Sequence, residues 1–210
     1  MVRVLIADDH AIVRKGFRQI CGEHGEIEVI GEAENYGDIA RLLRETSCDV
    51  LLLDISMPGK NGIDTLKQVK ELYPKLGVLI LSMYPEDQYA VRAIKAGASG
   101  YLTKDSAPEK LIEAILLVAK GRKYITPELA ESLVSAVVEP DDRPLHEQLS
   151  DREFQTIRLI ALGRKLSEIA EELALSPKTV SVYRARILEK MKMRSNAELT
   201  SYALKHGLID

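Results

Sequence analysis

The chain has no tryptophan, only two phenylalanines and two cysteines, and no long apolar run. Cys21 and Cys48 lie far apart, with no Cys or His at metal-ligand spacing, so they read as free thiols rather than a disulfide or a zinc site. Nothing approaches the roughly 20 consecutive apolar residues of a membrane span, which excludes a spanning helix. The opening apolar run ends at Asp8-Asp9 with no small-residue cleavage site behind it, so a signal peptide is excluded and the cytoplasm is the expected location. Internal repeats and low-complexity tracts are also missing.

An apolar share of 46% with 29% charged residues is the composition of a globular protein. At 210 residues the chain exceeds the usual single-domain size, so two domains are expected. The net charge of −3 hides an uneven distribution, because Lys178 to Arg194 holds six Lys/Arg against one Glu. A basic patch on an acidic whole is compatible with nucleic-acid binding.

Up to about residue 120, short β-branched apolar runs alternate with segments of helical period, the pattern of βαβ units around a parallel sheet. Five strands are expected, at Arg3 to Ala7, Glu28 to Glu32, Val50 to Leu53, Gly77 to Ser82 and Gly100 to Leu102. Helices are expected near 11 to 23, 36 to 45, 62 to 72, 86 to 96 and 107 to 120. Thr126-Pro127 then marks the start of a connecting helix that reaches Val138. Glu139-Pro140-Asp141-Asp142-Arg143-Pro144 has the composition of an extended linker. Beyond it the chain reads as all-α, with helix starts at Ser150/Glu153, Ser176/Pro177 and Ser195/Glu198, and with Ser167 as the cap of a fourth. The expected division is 1–120, a connecting helix and linker over 121–145, and 146–210.

Asp8 and Asp9 follow the first strand and Asp54 follows the third. In a doubly wound sheet of order 2-1-3-4-5 those strands are neighbours, and ligands bind beyond their carboxyl ends. Three converging carboxylates need raised pKa values or a hard divalent cation, of which Mg²⁺ is the expected one. Strand four ends in Ser82 and strand five is followed by Thr103-Lys104, adding a hydroxyl and an ammonium at the same rim. These are the parts of a phosphoryl-transfer site. His10 beside them reads as an ordinary first-turn residue.

Asp8-Asp9, Asp54 in Leu-Asp-Ile-Ser-Met-Pro-Gly, Ser82, Tyr101 and Lys104 stand in the order and spacing of the two-component receiver domain, which residues 1 to about 120 resemble. The resemblance implies a flavodoxin-like fold and a phosphoryl group accepted on Asp54 from a sensor histidine kinase. It implies Mg²⁺ held by Asp8, Asp9, Asp54 and the Ser56 carbonyl, a Lys104 contact to the phosphoryl group, and a switch at Ser82 and Tyr101. One departure is Asp105, where the family usually has proline, which leaves the loop geometry after Lys104 open.

From Ser167 to Val180 one short amphipathic helix ends and another begins after a tight turn, which is helix-turn-helix spacing. Val180, Tyr183, Ile187 and Met191 recur at three- and four-residue steps and should face the core. The opposite face then presents Lys178, Thr179, Ser181, Val182 and Ala185, flanked by Arg184 and Arg186, and fits a major groove of double-stranded DNA. Lys178, Arg184, Arg186, Lys190 and Lys192 offer about five phosphate contacts, for a log-log salt slope near −4 to −5 per subunit. Leu149-Ser150-Asp151-Arg152-Glu153, Glu168-Ile169-Ala170, Ser176-Pro177-Lys178-Thr179-Val180 and Lys190-Met191 are similar to the LuxR-type effector domain of NarL/FixJ regulators. That resemblance implies four helices, a recognition helix in the major groove, and a homodimer when phosphorylated or DNA-bound.

The expected function is therefore a phosphorylation-dependent DNA-binding transcription regulator, with no metabolic substrate beyond its own phosphoryl transfer and hydrolysis. One rival is an Asp-nucleophile phosphatase, which in the haloacid dehalogenase type carries a second Asp where this chain has Ser56. Another is a constitutive DNA binder indifferent to phosphorylation.

Overall fold

A computed structural model describes residues 1–57, 62–84, 86–138 and 144–209, the side chains of 86–88 and 135–138 excepted. The chain forms two compact units, Met1–Ser135 and Ala136–Asp210. Among the described residues no helix is long and apolar enough to cross a membrane.

The first unit is a five-stranded parallel sheet of order β2-β1-β3-β4-β5, built from β1 (Val2–Ala7), β2 (Ile27–Ala33), β3 (Val50–Asp54), β4 (Gly77–Ser82) and β5 (Gly100–Thr103). The crossovers are α1 (Ala11–Gly22), α2 (Tyr36–Glu45), α3 (Gly62–Leu72) and α4 (Glu86–Lys95), and α5 (Pro108–Ala119) follows β5. Every residue of β3 and β4 is buried, as a central parallel strand covered on both faces must be.

Alternation along the strands sorts the core into two layers. Val4, Ile6, Val50, Leu52, Leu79, Leu81 and Leu102 meet Phe17 and Cys21 of α1 and Leu111, Ala114, Ile115 and Val118 of α5. Residues of the opposite parity, such as Leu5, Leu51, Leu53 and Ile80, are equally buried, on the side of α2, α3 and α4. Gly62 opens α3 where a Cβ would stand 2.4 Å from the Ile55 Cα, so only glycine lets the helix start this close to the end of β3.

Tyr124 donates its N–H to the Ser99 carbonyl and bridges to Gly100, which ties the segment after α5 to the sheet. The Thr126 hydroxyl accepts the Leu129 N–H and caps α6 (Pro127–Val138). The expected linker at 139–143 lies outside the described residues.

In the second unit a short 3-10 helix (Leu145–Gln148) precedes α7 (Asp151–Ala161), α8 (Leu166–Glu172), α9 (Pro177–Lys190) and α10 (Asn196–Lys205). Helix α7 packs against α8, α9 and α10. Ser150, Ser176 and Ser195 each cap their helix by accepting a backbone N–H three residues on.

Ser167 does not cap α8. The helix begins after Lys165, whose N–H donates to the Glu168 carboxylate at 3.0 Å, and Ser167 lies inside the first turn. Glu168 thus performs the half of a capping box that needs no serine.

Candidate functional site: an acidic rim and an exposed recognition helix

The ends of β1 and β3 bring Asp8, Asp9 and Asp54 together, because β1 and β3 are direct neighbours. One ligand atom from each of Asp8, Asp9, Asp54 and His10 lies within 4.8 Å of all the others. Asp8 and Asp54 are buried, Asp9 is half-buried and His10 is exposed. His10, read from sequence as an ordinary first-turn residue, precedes α1 with its Nδ1 3.0 Å from Asp9 Oδ1 and 3.3 Å from Asp8 Oδ1.

Lys104 reaches in from the end of β5. Its ammonium stands 2.6 Å from Asp8 Oδ2 and 2.9 Å from Asp54 Oδ2. Burial works to lower the Lys104 pKa, but Asp54 and Asp8 outweigh it and hold the ammonium above its usual value. Burial pushes the Asp54 carboxyl up, and Asp8 adds to the push, against the pull of Lys104 and of the Ser56 N–H. That N–H donates to Asp54 Oδ1 at 3.0 Å, so the exposed Ser56 turns back over the carboxylate.

The donor set fits a hard divalent cation. Three carboxylates face one ammonium, and among the described residues no well-aligned hydrogen bond reaches Asp8 Oδ2, Asp9 Oδ1 or Asp54 Oδ2, all of them buried oxygens. Asp8 Oδ2 and Asp54 Oδ2 pair with the Lys104 ammonium and Asp9 Oδ1 faces the His10 ring, which leaves acceptor capacity unspent in the all-oxygen chemistry that Mg²⁺ prefers.

Ser82 and Tyr101 are both buried and both tied to Tyr84. The Ser82 hydroxyl accepts the Tyr84 N–H at 3.0 Å, and the Tyr101 hydroxyl donates to the Tyr84 carbonyl at 2.7 Å. The Tyr84 ring stacks on buried Tyr89, centroids 4.9 Å apart. Sequence reasoning missed Tyr84 because it is the backbone of that residue, not its side chain, that joins the two.

Arg14 was also missed. It is buried in α1, donates to the Asp8 carbonyl at 2.7 Å, and pairs with Glu32 and Glu34 at the end of β2. The signal was available, since Arg14, Phe17 and Cys21 share the buried phase of the helix and an arginine there needs buried partners.

After Lys104 the loop closes as a turn, with Ser106 N–H donating to Thr103 O and Lys104 N–H to Ser82 O. No cis peptide bond occurs among the described residues, so Asp105 follows a trans bond.

On α9, Val180 and Ile187 are buried and Tyr183 is half-buried, and Met191, directly after the helix, is buried. Lys178, Ser181, Val182, Ala185, Arg186, Lys190 and Lys192 are exposed, and Thr179 and Arg184 are half-buried. Arg184 donates to Asn196 Oδ1 at 2.6 Å, and Lys190 to Glu153 Oε2 at 2.6 Å. The turn into α9 puts Ala174 at φ 51°.

Residues 4–116 match the response regulator receiver domain family, and residues 147–203 match the family of bacterial regulatory proteins described as luxR. The chain is 37% identical to response regulator GacA of Pseudomonas aeruginosa, over 100% of this chain and 99% of that protein. It is 37% identical to response regulator UvrY of Escherichia coli, over 99% and 96%. Among solved structures it is similar to RcsB of Salmonella enterica serovar Typhimurium bound to promoter P1flhDC in the presence of the phosphomimetic BeF3−, with a TM-score of 0.67 and 28% identity over 96% of this chain and 97% of that one. A five-stranded parallel α/β unit with an acidic rim, followed by a LuxR-type helical unit, makes this chain a member of the two-component response regulators of the NarL/FixJ type.

Proposed function

We propose that this chain is a cytoplasmic, phosphorylation-dependent transcription regulator that accepts a phosphoryl group on Asp54 from a histidine kinase and responds by binding promoter DNA. The observation that carries this reading is the buried Asp54 carboxylate at the end of β3, held beside Asp8 and Lys104.

In the transfer, an Asp54 oxygen attacks phosphorus on the kinase's phosphohistidine. The P–O bond forms as the P–N bond breaks, and the leaving imidazole takes the electron pair and then a proton from solvent. Water later attacks the acyl phosphate, releasing inorganic phosphate and restoring the carboxylate. The protein turns over no other substrate. Asp8, Asp9, Asp54 and the Ser56 carbonyl would hold Mg²⁺, which when bound supplies positive charge against the incoming phosphoryl oxygens. Lys104, already poised between Asp8 and Asp54, follows the charge onto the acyl phosphate.

The switch uses bonds the resting protein already has. A Ser82 hydroxyl drawn towards the acyl phosphate pulls on the Tyr84 N–H, and the Tyr84 carbonyl holds the Tyr101 hydroxyl. Phosphorylation thereby biases one loop and the buried Tyr101 ring together. The output is carried by α9, whose small exposed residues Ser181 and Ala185, with Val182 and Thr179, enter the major groove. Lys178, Arg184, Arg186 and Lys192 flank that face with positive charge, and two copies of the chain read a two-part site. Asp54→Asn should abolish the DNA-binding response to a phosphodonor in an electrophoretic shift assay. Undiminished activation of that variant would contradict the proposal.

A further inference from the structure

The cations of α9 do not all have the same surroundings. Lys190, its last residue, is directed at Glu153, whose side chain is only 2% exposed. The Lys190 ammonium donates to Glu153 Oε2 at 2.6 Å, and the same oxygen accepts the Ser150 N–H at 2.8 Å. Ser150 in turn accepts the Glu153 N–H, so this carboxylate is the acceptor of the capping box that starts α7. Burial works to raise the Glu153 pKa, but Lys190 and Ser150 outweigh it and hold the carboxyl below its ordinary value. A cation at a helix C-terminus also meets the negative end of the helix dipole.

We infer that Lys190 is a positioning residue that clamps the C-terminal end of the recognition helix to the α7 cap, and that it makes no phosphate contact. The inference rests on the DNA-binding reading of α9 and refines it. Moving Lys190 onto a phosphate would leave a buried carboxylate with a backbone N–H but no counter-charge, the arrangement that costs most when an ion pair is broken from one side. Lys178, Arg186 and Lys192 are exposed, and among the described residues the one recognition-helix cation paired with a buried carboxylate is Lys190. Four phosphate contacts in place of five give a log-log salt slope of about −3.6 per subunit instead of about −4.5.

The test is a salt titration of DNA affinity by the full-length chain, on a duplex recovered by selection from random sequence with the wild-type protein. Lys190→Met should weaken binding by about tenfold at one salt concentration, because the helix is no longer held in place, while the slope stays that of wild type. Arg186→Met, which removes an exposed cation, should make the slope shallower by about 0.9. A Lys190→Met slope shallower by the same amount would overturn the inference. If wild type shows no salt-dependent binding, the DNA reading fails and this inference with it. Should Lys190→Met fail to fold, Lys190→Gln, which can still donate to the carboxylate, is titrated in its place: a slope like that of wild type supports the clamp, and a slope shallower by about 0.9 contradicts it.

Discussion

Two buried charges outside the acidic rim govern how well each unit presents its working residues. Arg14 holds the Asp8 carbonyl and joins it to Glu32 and Glu34, so the backbone that aims the Asp8 carboxylate is fixed from α1. Replacing it by a hydrocarbon leaves Glu32 without one of its two arginines and frees the Asp8 turn. Arg14→Met is expected to destabilise the first unit by about 2 kcal/mol, less than a fully buried pair would cost because Glu34 is exposed, and to weaken Mg²⁺ binding several-fold. Urea denaturation and a Mg²⁺ titration check both effects, and unchanged Mg²⁺ affinity would remove Arg14 from the support of the site. Glu153 makes a pH prediction. A carboxyl held below its usual 4.5 contributes stability that is complete above that value and is lost as pH falls through the lowered pKa. Glu153→Gln should therefore be less stable than wild type by about 2 kcal/mol at neutral pH, a figure reduced for the partial exposure of Lys190. The gap should narrow as pH falls below 4.5 and close once it has passed the lowered pKa, in thermal melts followed by circular dichroism. Cys21 and Cys48 belong at the same scale, since burial pushes each thiol up to about 11 and keeps both protonated and inert near neutrality.

At the scale of elements, the strands were the most legible part of the chain. Val50-Leu51-Leu52-Leu53 is a continuous apolar run bounded by Asp49 and Asp54, the pattern of a short strand covered on both faces. Helix starts were legible wherever a serine stood three residues before the N–H that it accepts, as at Ser150, Ser176 and Ser195. Ser167 misled because the helix N-cap stands two residues earlier, at Lys165, whose amide Glu168 satisfies from inside the helix. The contact between Lys190 and Glu153 spans 37 positions, and no local pattern encodes a pair that exists only once α7 and α9 have packed. The turn between α8 and α9 carries its own prediction. Ala174 has φ 51°, a left-handed conformation in which a Cβ crowds the following carbonyl. Ala174→Gly should stabilise the second unit by up to about 1 kcal/mol, the relief of that crowding less the chain entropy glycine brings. A melting temperature unchanged or lowered in this variant would show that the turn is not strained.

At the scale of the whole molecule, the two-part organisation was written in the change from β-branched alternation to helical period and in the prolines between them. The converging carboxylates were legible because the common doubly wound order 2-1-3-4-5 places the ends of β1 and β3 side by side. What sequence could not supply were contacts made by backbone groups, such as those of Tyr84 to Ser82 and Tyr101, or by long-range packing. The central claim is that a phosphoryl group on Asp54 in the first unit governs DNA binding by the second. The most direct test exposes wild type and Asp54→Asn to a small acyl-phosphate donor with Mg²⁺, reads incorporation by intact mass, and measures duplex affinity on the same samples. One phosphoryl group and tighter DNA binding are expected for wild type alone. Incorporation without any change in affinity, or an equal response from Asp54→Asn, would contradict the claim.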